Sequence, residues 1–463
     1  MSEPDRGRES TSTCATLLVD ELVTALVNSR IYALDHPRLR DSMERALELT
    51  RELADLVGSD RIRIACSEGM IFFAGKPLVG ASIAAARLVR VLEGWDAGGI
   101  ELARAARTDE LATFFAGLQA ARQGPTDDHD AFNRRIAASR CIHIALLPTV
   151  GGEALSSPST GEREVVHGYQ KLVDLLQGVT VSLCRGGTID FDPVIGNAEM
   201  ILGHLESGDS TMLGLARQEQ YDAFSFGHSI RVAILAMNFA RALTDDREVQ
   251  IRIGAAALLH DVGKSLIPFE ILHSTRQLSA EERREMSRHS ELGARCLLDH
   301  HDSDPLAIAA AFGHHMAMGS KGYPTTVHEH PISWITSLVK ICDIFEALTA
   351  ARPYKTAMSP IRAYRVMLAM GDSLDRALLH RFIEVNGIYP VGQSVVLASG
   401  EVAIVKHQTD DPLHPIVLVT ANGDGSVAED EELFDLREVA CPEARIILGE
   451  LAGPRVGSPA ADR

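Results

Sequence analysis

The sequence predicts a multidomain protein with an all-α core, preceded by an α+β N-terminal domain and followed by a small β module. The chain has 463 residues, more than one hydrophobic core usually organises, so two or three domains are expected. The spacing of apolar residues changes twice along the chain, from mixed helical and strand patterns to helical ones and then to short alternating runs. A stretch rich in glycine, serine, proline and charge, 151–164, marks the first change.

The first domain combines both kinds of pattern. Apolar residues recur at helical spacing from Cys14 to about Leu56, and the runs 61–66 and 70–74 indicate two strands joined by a glycine turn. Thr108 is expected to cap the next helix. No catalytic constellation is found in this domain, so we expect it to serve regulation or dimerisation.

The second domain is strongly helical, because segments such as 228–243 are apolar at helical spacing and strand signals are almost absent between 166 and 385. From about Val391 the period changes to short runs separated by glycines, which indicates a small β module. The predicted boundaries are a disordered N-terminus at 1–13, the α+β domain at 14–150, a linker at 151–165, the all-α domain at 166–385, the β module at 386–451 and a loose tail at 452–463.

Composition excludes several classes of protein. No run of 18 or more apolar residues occurs, so no membrane span is expected, and the polar start lacks the apolar segment of a secretory signal. The seven cysteines are scattered and form no CxxC, which indicates reduced thiols and a cytoplasmic location. The net charge of −18 argues against binding a nucleic-acid polymer but not against an anionic small molecule.

An ordered series of histidines and aspartates is the strongest chemical signal. Imidazole and carboxylate bind Zn, Fe or Mn, and a carboxylate can bridge two ions. A lone histidine on an apolar helix is usually a core residue, but 10 of the 18 histidines fall between 228 and 330, which packing explains poorly. The series predicts a two-metal site of the kind that hydrolyses phosphodiesters. Its members are His228, His260, Asp261, His289, His314, His315 and Asp343.

The adjacent pair His260 and Asp261 closes an apolar helix. Neighbouring helical residues point roughly 100° apart, so the pair can hold one ion and approach a second. The bridging role suits Asp261, because a carboxylate has two oxygens to share. Asp343 is placed near the start of a later helix. Lys264, Arg352 and Lys355 supply positive charge close in sequence to these ligands, which suits phosphate oxygens.

These motifs resemble a known family. LLHDVGK at 258–264, GYP at 322–324 and ARPYK at 351–355 are similar to the HD-GYP branch of the HD-domain phosphohydrolases, as are FGHSIRVA around His228 and RHSELGARCLL at 288–298. The resemblance covers roughly 220 to 365 and implies an HD-type helical catalytic core. The family is bacterial, and its typical activity is hydrolysis of the signalling dinucleotide cyclic di-GMP.

The resemblance also implies roles for individual residues. One metal would be bound by His228, His260, Asp261 and Asp343, and Asp261 would bridge to a second, bound also by His289, His314 and His315. Iron is the usual metal, with manganese as the alternative. A third-metal glutamate found in some members is Phe224 here, so two ions are expected. Lys264 would meet the scissile phosphate, and the substrate groove would be lined by Tyr323, Arg352 and Lys355.

The loop before GYP departs from the family. Where the family reads His-His-Glu-Arg-x-Asp-Gly-x-Gly-Tyr-Pro, this chain reads HHMAMGSKGYP at 314–324. None of the replaced residues is among the seven predicted ligands, but a charged loop has become apolar. Groups behind the ligands orient them, and their loss can cost about 10–100-fold. The positions that changed are Met316, Ala317, Gly319 and Ser320.

The sequence therefore predicts a bacterial signalling phosphodiesterase in which water attacks phosphorus in line with the leaving ribose oxygen and Lys264 stabilises the charge that develops. Two alternatives stay open. The altered loop favours a weak or inactive module that binds a cyclic dinucleotide or a partner protein. A phosphohydrolase of another nucleotide is the second. Expected partners are cyclic di-GMP, a second copy of the chain in a homodimer, and a signalling protein at Gly322–Pro324.

Overall fold

The computed structural model divides into two compact units, Met1–His167 and Gly168–Arg463. None of the helices it describes is long and apolar enough to cross a membrane. The described residues are 3–31, 36–120, 128–149, 160–208, 210–215, 226–272, 274, 276–300, 302–317, 321–325, 332–350, 357–422, 433–438 and 447–450.

The N-terminal unit is built on an antiparallel sheet of order β3-β2-β1-β4-β5. Its core joins the apolar faces of the first two helices to an aromatic cluster that includes Phe114, Phe115 and Phe132. The elements are α1 (Glu3–Ile31), α2 (Pro37–Val57), β1 (Arg61–Ser67), β2 (Met70–Phe73), β3 (Lys76–Pro77), α3 (Val79–Ala84), α4 (Ala86–Gly94), β4 (Ala97–Ala103), α5 (Thr108–Gln119), α6 (His129–Ala138) and β5 (Ile144–Pro148).

The two predicted strands are present as β1 and β2, but two predictions for this unit were wrong. α1 begins at Glu3, so most of the segment 1–13 is helical and not disordered. Extending a formed helix is far easier than starting one, so the apolar turns after Cys14 carry it toward the N-terminus. Thr108 is the first residue of α5 and not its cap. The cap position is Arg107, whose backbone N–H donates to the Glu110 side chain at 3.2 Å.

The second unit begins inside α7 (Thr160–Cys184), so the predicted linker ends earlier than 165, and 151–159 lie outside the described residues. Helices dominate up to residue 386, with short 3₁₀ turns at Val262–Leu266 and Gly371–Ser373. The other elements are α8 (Phe191–Glu206), α9 (Ser210–Leu215), α10 (Phe226–Arg241), α11 (Arg247–Leu259), α12 (Phe269–Leu272), α13 (Ala280–Ser287), α14 (His289–Leu298), α15 (Pro305–Gly313), β6 (Met316–Ala317), β7 (Lys321–Gly322), α16 (Trp334–Thr349), α17 (Pro360–Ala369) and α18 (Arg376–Asn386). Among the described residues of this domain, the β6–β7 hairpin departs from the predicted all-α structure.

Side-chain caps and close helix contacts position this helical core. Asp246, Asp304 and Ser333 accept hydrogen bonds from the first turns of α11, α15 and α16. The 3₁₀ turn lies directly on α14 at Gly263 and Gly293, where a Cβ on Gly263 would fall 2.0 Å from the carbonyl oxygen of His289. The small residues therefore bring the end of α11 next to the start of α14.

The C-terminal part forms the predicted β module. Its antiparallel sheet has the order β11-β10-β9-β8-β12, and buried residues alternate along β8 and β9 as expected for one packed face. Val395, Leu397, Ala403, Val405 and Val417 form its core. The strands are β8 (Ser394–Leu397), β9 (Val402–His407), β10 (Ile416–Ala421), β11 (Leu433–Asp435) and β12 (Ile447–Glu450). The predicted tail, 452–463, lies outside the described residues.

Candidate metal centre

Five helices deliver the seven predicted ligands to one place. His228 lies in the first turn of α10, and the pair His260 and Asp261 follows the end of α11. His289 is the first residue of α14, His314 and His315 follow the end of α15, and Asp343 lies within α16. The sequence had predicted Asp343 near the start of a helix. That prediction was wrong, because Asp343 lies well inside α16. Six of the seven side chains are buried, and His315 is partly buried.

The seven side chains form two groups. In the first, ligand atoms of His228, His260 and Asp343 lie within 4.8 Å of one another. Nε2 of His228 is 3.1 Å from Oδ1 of Asp343. The second group consists of Asp261, His289, His314 and His315, whose ligand atoms also lie within 4.8 Å of one another.

Asp261 faces both groups. Its Oδ2 lies 3.6 Å from Nε2 of His228 and 3.3 Å from Nε2 of His260. Its Oδ1 lies 3.4 Å from Nε2 of His289 and 3.6 Å from Nε2 of His314. Each carboxylate oxygen thus serves a different group, which is the arrangement needed to bridge two ions.

Backbone carbonyls orient three of the rings. Nδ1 donates to the carbonyl oxygen of Ala257 at 2.7 Å in His260, of Met286 at 2.8 Å in His289, and of Ala310 at 2.9 Å in His314. These bonds place the proton on Nδ1 and leave the lone pair of Nε2 directed into the site.

The residues present fit divalent transition ions. A buried polar atom without a hydrogen bond costs about 1–3 kcal/mol, so native structures contain few. Nε2 of His260 and Oδ1 of Asp261 are two such atoms in the described part of the chain. Nε2 of His289 and Nε2 of His314 face each other at 3.3 Å with both protons on Nδ1. A cation at the first group would satisfy Nε2 of His260, and a cation at the second would satisfy the other three atoms.

Protonation in the second group also suits metal binding. Burial lowers the pKa of His289 to about 4 and that of His315 to about 2, so both rings are neutral near pH 7. Burial opposes the charged form of Asp261, but Lys264 and His260 hold the pKa of that carboxyl well below its usual range. Neutral imidazoles and an ionised carboxylate are the forms that bind cations.

His228 differs, because burial would lower its pKa but the charges of Glu346 and Asp343 raise it to about 9. Oε2 of Glu346 is 2.5 Å from Nδ1 of His228, and Nε of Arg231 donates to Oε1 of Glu346 at 2.6 Å. Glu346 and Arg231 were not predicted as site residues from the sequence. The signal was their spacing, since each follows a predicted ligand by three residues on the same helix.

The four other predicted site residues have different outcomes. The ammonium of Lys264 contacts Oδ2 of Asp261, and its side chain is 26% exposed. The Tyr323 ring lies over His315 with centroids 4.6 Å apart. The predicted substrate contacts Arg352 and Lys355 lie outside the described residues, as does Phe224.

The altered loop is partly described. Met316 and Ala317 pair with Gly322 and Lys321 in the β6–β7 hairpin, whereas 318–320 lie outside the described residues. Gly322 has φ +92, and a Cβ there would fall 2.3 Å from the carbonyl oxygen of His315, so only glycine fits this position. The buried Lys340 donates to the Met316 carbonyl and, at 2.8 Å, to that of Ser373.

Comparison with known proteins identifies the family. A family profile described as HD domain matches residues 213–378. The chain is 32% identical over 297 residues to the cyclic di-GMP phosphodiesterase PA4108 of Pseudomonas aeruginosa, an alignment that covers 63% of this chain and 72% of the relative. It is 33% identical over 144 residues to the 3'3'-cGAMP-specific phosphodiesterase 1 of Vibrio cholerae, covering 31% of this chain and 33% of the relative. With GYP at 322–324, the chain belongs to the HD-GYP branch of the HD-domain phosphohydrolases.

Proposed function

We propose that this chain is a metal-dependent phosphodiesterase that hydrolyses cyclic di-GMP in bacterial signalling. The observation that carries the proposal is Asp261, whose two oxygens face two compact ligand groups. Two-metal sites of this kind hydrolyse phosphodiesters. The Pseudomonas relative, of which the chain covers 72%, is named a cyclic di-GMP phosphodiesterase and supports the substrate.

The seven ligands would hold two divalent ions, with iron or manganese most compatible with imidazole and carboxylate donors. When bound, such ions supply the Lewis acidity that activates water and neutralises charge on phosphoryl oxygens. Lys264 lies against Asp261 at the partly exposed edge of the site, where its ammonium can donate to a phosphoryl oxygen.

Tyr323 is proposed as a substrate contact. Its ring covers His315 and lies 5.9 Å from that of His289, so it shields this side of the site from water. Burial raises the pKa of Tyr323, with Asp261 and Asp343 adding to the effect, so the phenol stays protonated and can donate a hydrogen bond. Arg352 and Lys355 are proposed to bind phosphate. Replacing either with alanine should weaken cyclic di-GMP binding roughly 10- to 150-fold without changing metal content.

The decisive experiment combines metal analysis with a nucleotide panel. Protein purified under reducing conditions with iron or manganese supplied should contain close to two ions per chain and hydrolyse cyclic di-GMP. Protein that binds no metal under these conditions contradicts the dinuclear proposal. The same panel includes 3'3'-cGAMP, because the Vibrio relative is named for that substrate. If kcat/KM is higher for 3'3'-cGAMP than for cyclic di-GMP, then 3'3'-cGAMP is the preferred substrate.

The altered loop favours a second candidate, a module that binds a cyclic dinucleotide or a partner protein without turnover. Gly322 is exposed and Pro324 is buried, so at least part of the predicted partner-binding turn is accessible. Restoring the family residues with Met316→Glu and Gly319→Asp together should raise turnover without adding metal, because a carboxylate can again support the histidines. If the metal-loaded wild type and this variant are both inert, the binding module is the better description.

A further inference from the structure

The ligand histidines differ in what holds their second ring nitrogen. His260, His289 and His314 donate from Nδ1 to backbone carbonyls. His228 instead contacts a carboxylate, Oε2 of Glu346, at 2.5 Å. An ionised partner makes the ring a stronger base at its other nitrogen than a neutral carbonyl does. His228 is therefore a stronger donor through Nε2 than the three rings that backbone carbonyls orient.

Glu346 is itself fixed. Nε of Arg231 donates to its Oε1 at 2.6 Å, and Glu346, Arg231 and His228 are only 1%, 7% and 6% exposed. Arg231 follows His228 by one turn of α10, and Glu346 follows Asp343 by one turn of α16. The same two helices thus present two ligands and, one turn further along, the ion pair that supports one of them.

The two groups also differ in charge. The first combines two imidazoles with Asp343 and Oδ2 of Asp261, whereas the second combines three imidazoles with Oδ1 of Asp261 alone. Lys264 contacts Oδ2 of the shared Asp261, and its single charge is the same size as that of Asp343. Charge alone therefore does not rank the two groups, and the difference that remains between them is the contact of Glu346 with His228.

We propose that Glu346 is a positioning residue that makes the group of His228, His260 and Asp343 the tighter of the two metal sites, so that it fills first. The inference rests on the proposed dinuclear function. Arg231 fixes the Glu346 carboxylate against Nδ1 of His228, so one ring proton stays on Nδ1 and a metal would displace any proton on Nε2. The second group, whose rings are oriented by backbone carbonyls, fills at higher metal concentration.

Manganese titration of the full chain tests this order. Calorimetry and the manganese EPR signal should show two unequal binding steps in the wild type. Glu346→Gln should weaken the tighter step about 10- to 100-fold, the usual cost of losing such a support, and leave the weaker step in place. Glu346→Asp retains the charge and should recover part of the affinity. Glu101→Gln is the matched control, since it removes a buried carboxylate bound by two arginines in the other unit.

Ligand variants assign each step to a group. In a His289→Ala background the first group carries the remaining tight ion, and Glu346→Gln should weaken that ion by the same factor. In a His260→Ala background the second group carries it, and Glu346→Gln should have no effect. Urea unfolding of each variant shows that the protein is folded, and Glu346→Asp serves in both backgrounds if Glu346→Gln does not fold.

The outcomes separate this inference from the proposed function. Equal weakening in both backgrounds, or no weakening in either, overturns the assigned role of Glu346 while two bound ions keep the dinuclear proposal. A wild type that binds no manganese or iron overturns the dinuclear proposal itself. Weakening confined to the His289→Ala background supports the inference.

Discussion

Buried carboxylates have different surroundings in the two units. In the N-terminal unit, Glu101 is bound by Arg61 and, at 2.7 Å, by Arg63, and Glu110 accepts from several backbone N–H groups. In the helical core, Oδ1 of Asp261 is buried among imidazoles and makes no hydrogen bond to the described residues. A saturated carboxylate stabilises the fold, whereas an unsaturated one is arranged for a ligand that supplies the missing contact.

Asp261→Asn should give the largest effect, because each ligand group loses its shared oxygen or its charge. We expect metal content to fall from close to two ions per chain to less than one. Hydrolysis should fall by at least about 100-fold, because losing a group that only supports a ligand already costs up to about 100-fold. Metal analysis and steady-state kinetics measure both. Unchanged metal content would show that Asp261 is as structural as Glu101.

Glu110→Gln should act on stability alone. The Glu110 side chain accepts from the backbone N–H of Arg107 at 3.2 Å, of Ile142 at 2.9 Å and of His143 at 3.3 Å. The amide of glutamine would turn a donor toward these donors, at a cost of about 2 kcal/mol or more in the free energy of unfolding. Chemical denaturation measures the loss. Metal binding should not change, and a parallel loss of metal would contradict the contrast between the units.

The same carboxylate predicts a pH dependence. Burial opposes its charged form, but the hydrogen bonds from Ile142 and His143 outweigh burial and lower the pKa of Glu110. A lowered folded-state pKa stabilises the fold above the unfolded value of about 4.3 and loses that stabilisation as pH falls through the folded value. The difference in unfolding free energy between wild type and Glu110→Gln should therefore shrink below about pH 4.

Gly263→Ala tests how packing builds the centre. The added Cβ would lie 2.0 Å from the His289 carbonyl oxygen and 2.5 Å from the backbone nitrogen of Gly293, so the 3₁₀ turn must move off α14. We expect a loss of about 1–3 kcal/mol in stability and weaker metal binding, since Asp261 moves with the turn. Gly178→Ala is the control, because a Cβ at this exposed position of α7 meets nothing within 4 Å and should be neutral or slightly stabilising.

The clustering of the seven candidate ligands was predictable from the sequence because it rests on residue type and order. The sequence predicted that His260 and Asp261 close one helix, and both residues directly follow the end of α11. The sequence predicted that Asp261 would bridge, because a carboxylate has two oxygens to share, but the distance of each oxygen from each group depends on tertiary contacts such as that of Gly263 with Gly293, which the sequence does not show. The helix 3–13 was missed because charged residues without an apolar stripe are helical here only as an extension of α1.

The charged residues that contact the candidate ligands were harder to predict than the candidate ligands themselves. Arg231 and Glu346 are ordinary charged residues on helices, and such residues are usually solvated. Only the packing of α10 against α16 buries them and joins them to His228. Lys340 is similar, since nothing in the sequence distinguishes it from an exposed lysine.

Lys340→Met should give the smallest effect. Lys340 is 6% exposed, and its ammonium donates to the carbonyls of Met316 and Ser373, so it ties the hairpin that leads to Tyr323 to α16. Methionine fills similar space but leaves two carbonyls unsatisfied, which should cost about 1–3 kcal/mol in stability. Because Lys340 contacts no ligand side chain among the described residues, metal content should stay at two ions. A looser hairpin should raise KM for cyclic di-GMP by about 10-fold or less, with a smaller change in kcat.

Lys171→Met, at an exposed position of α7, is the matched control and should change none of these quantities. Denaturation, metal analysis and steady-state kinetics on both variants distinguish the roles. If Lys340→Met loses metal, Lys340 supports the ligands themselves, as Glu346 is proposed to do. If KM is unchanged, the hairpin is held by other contacts, and the altered loop does not depend on this lysine for its position.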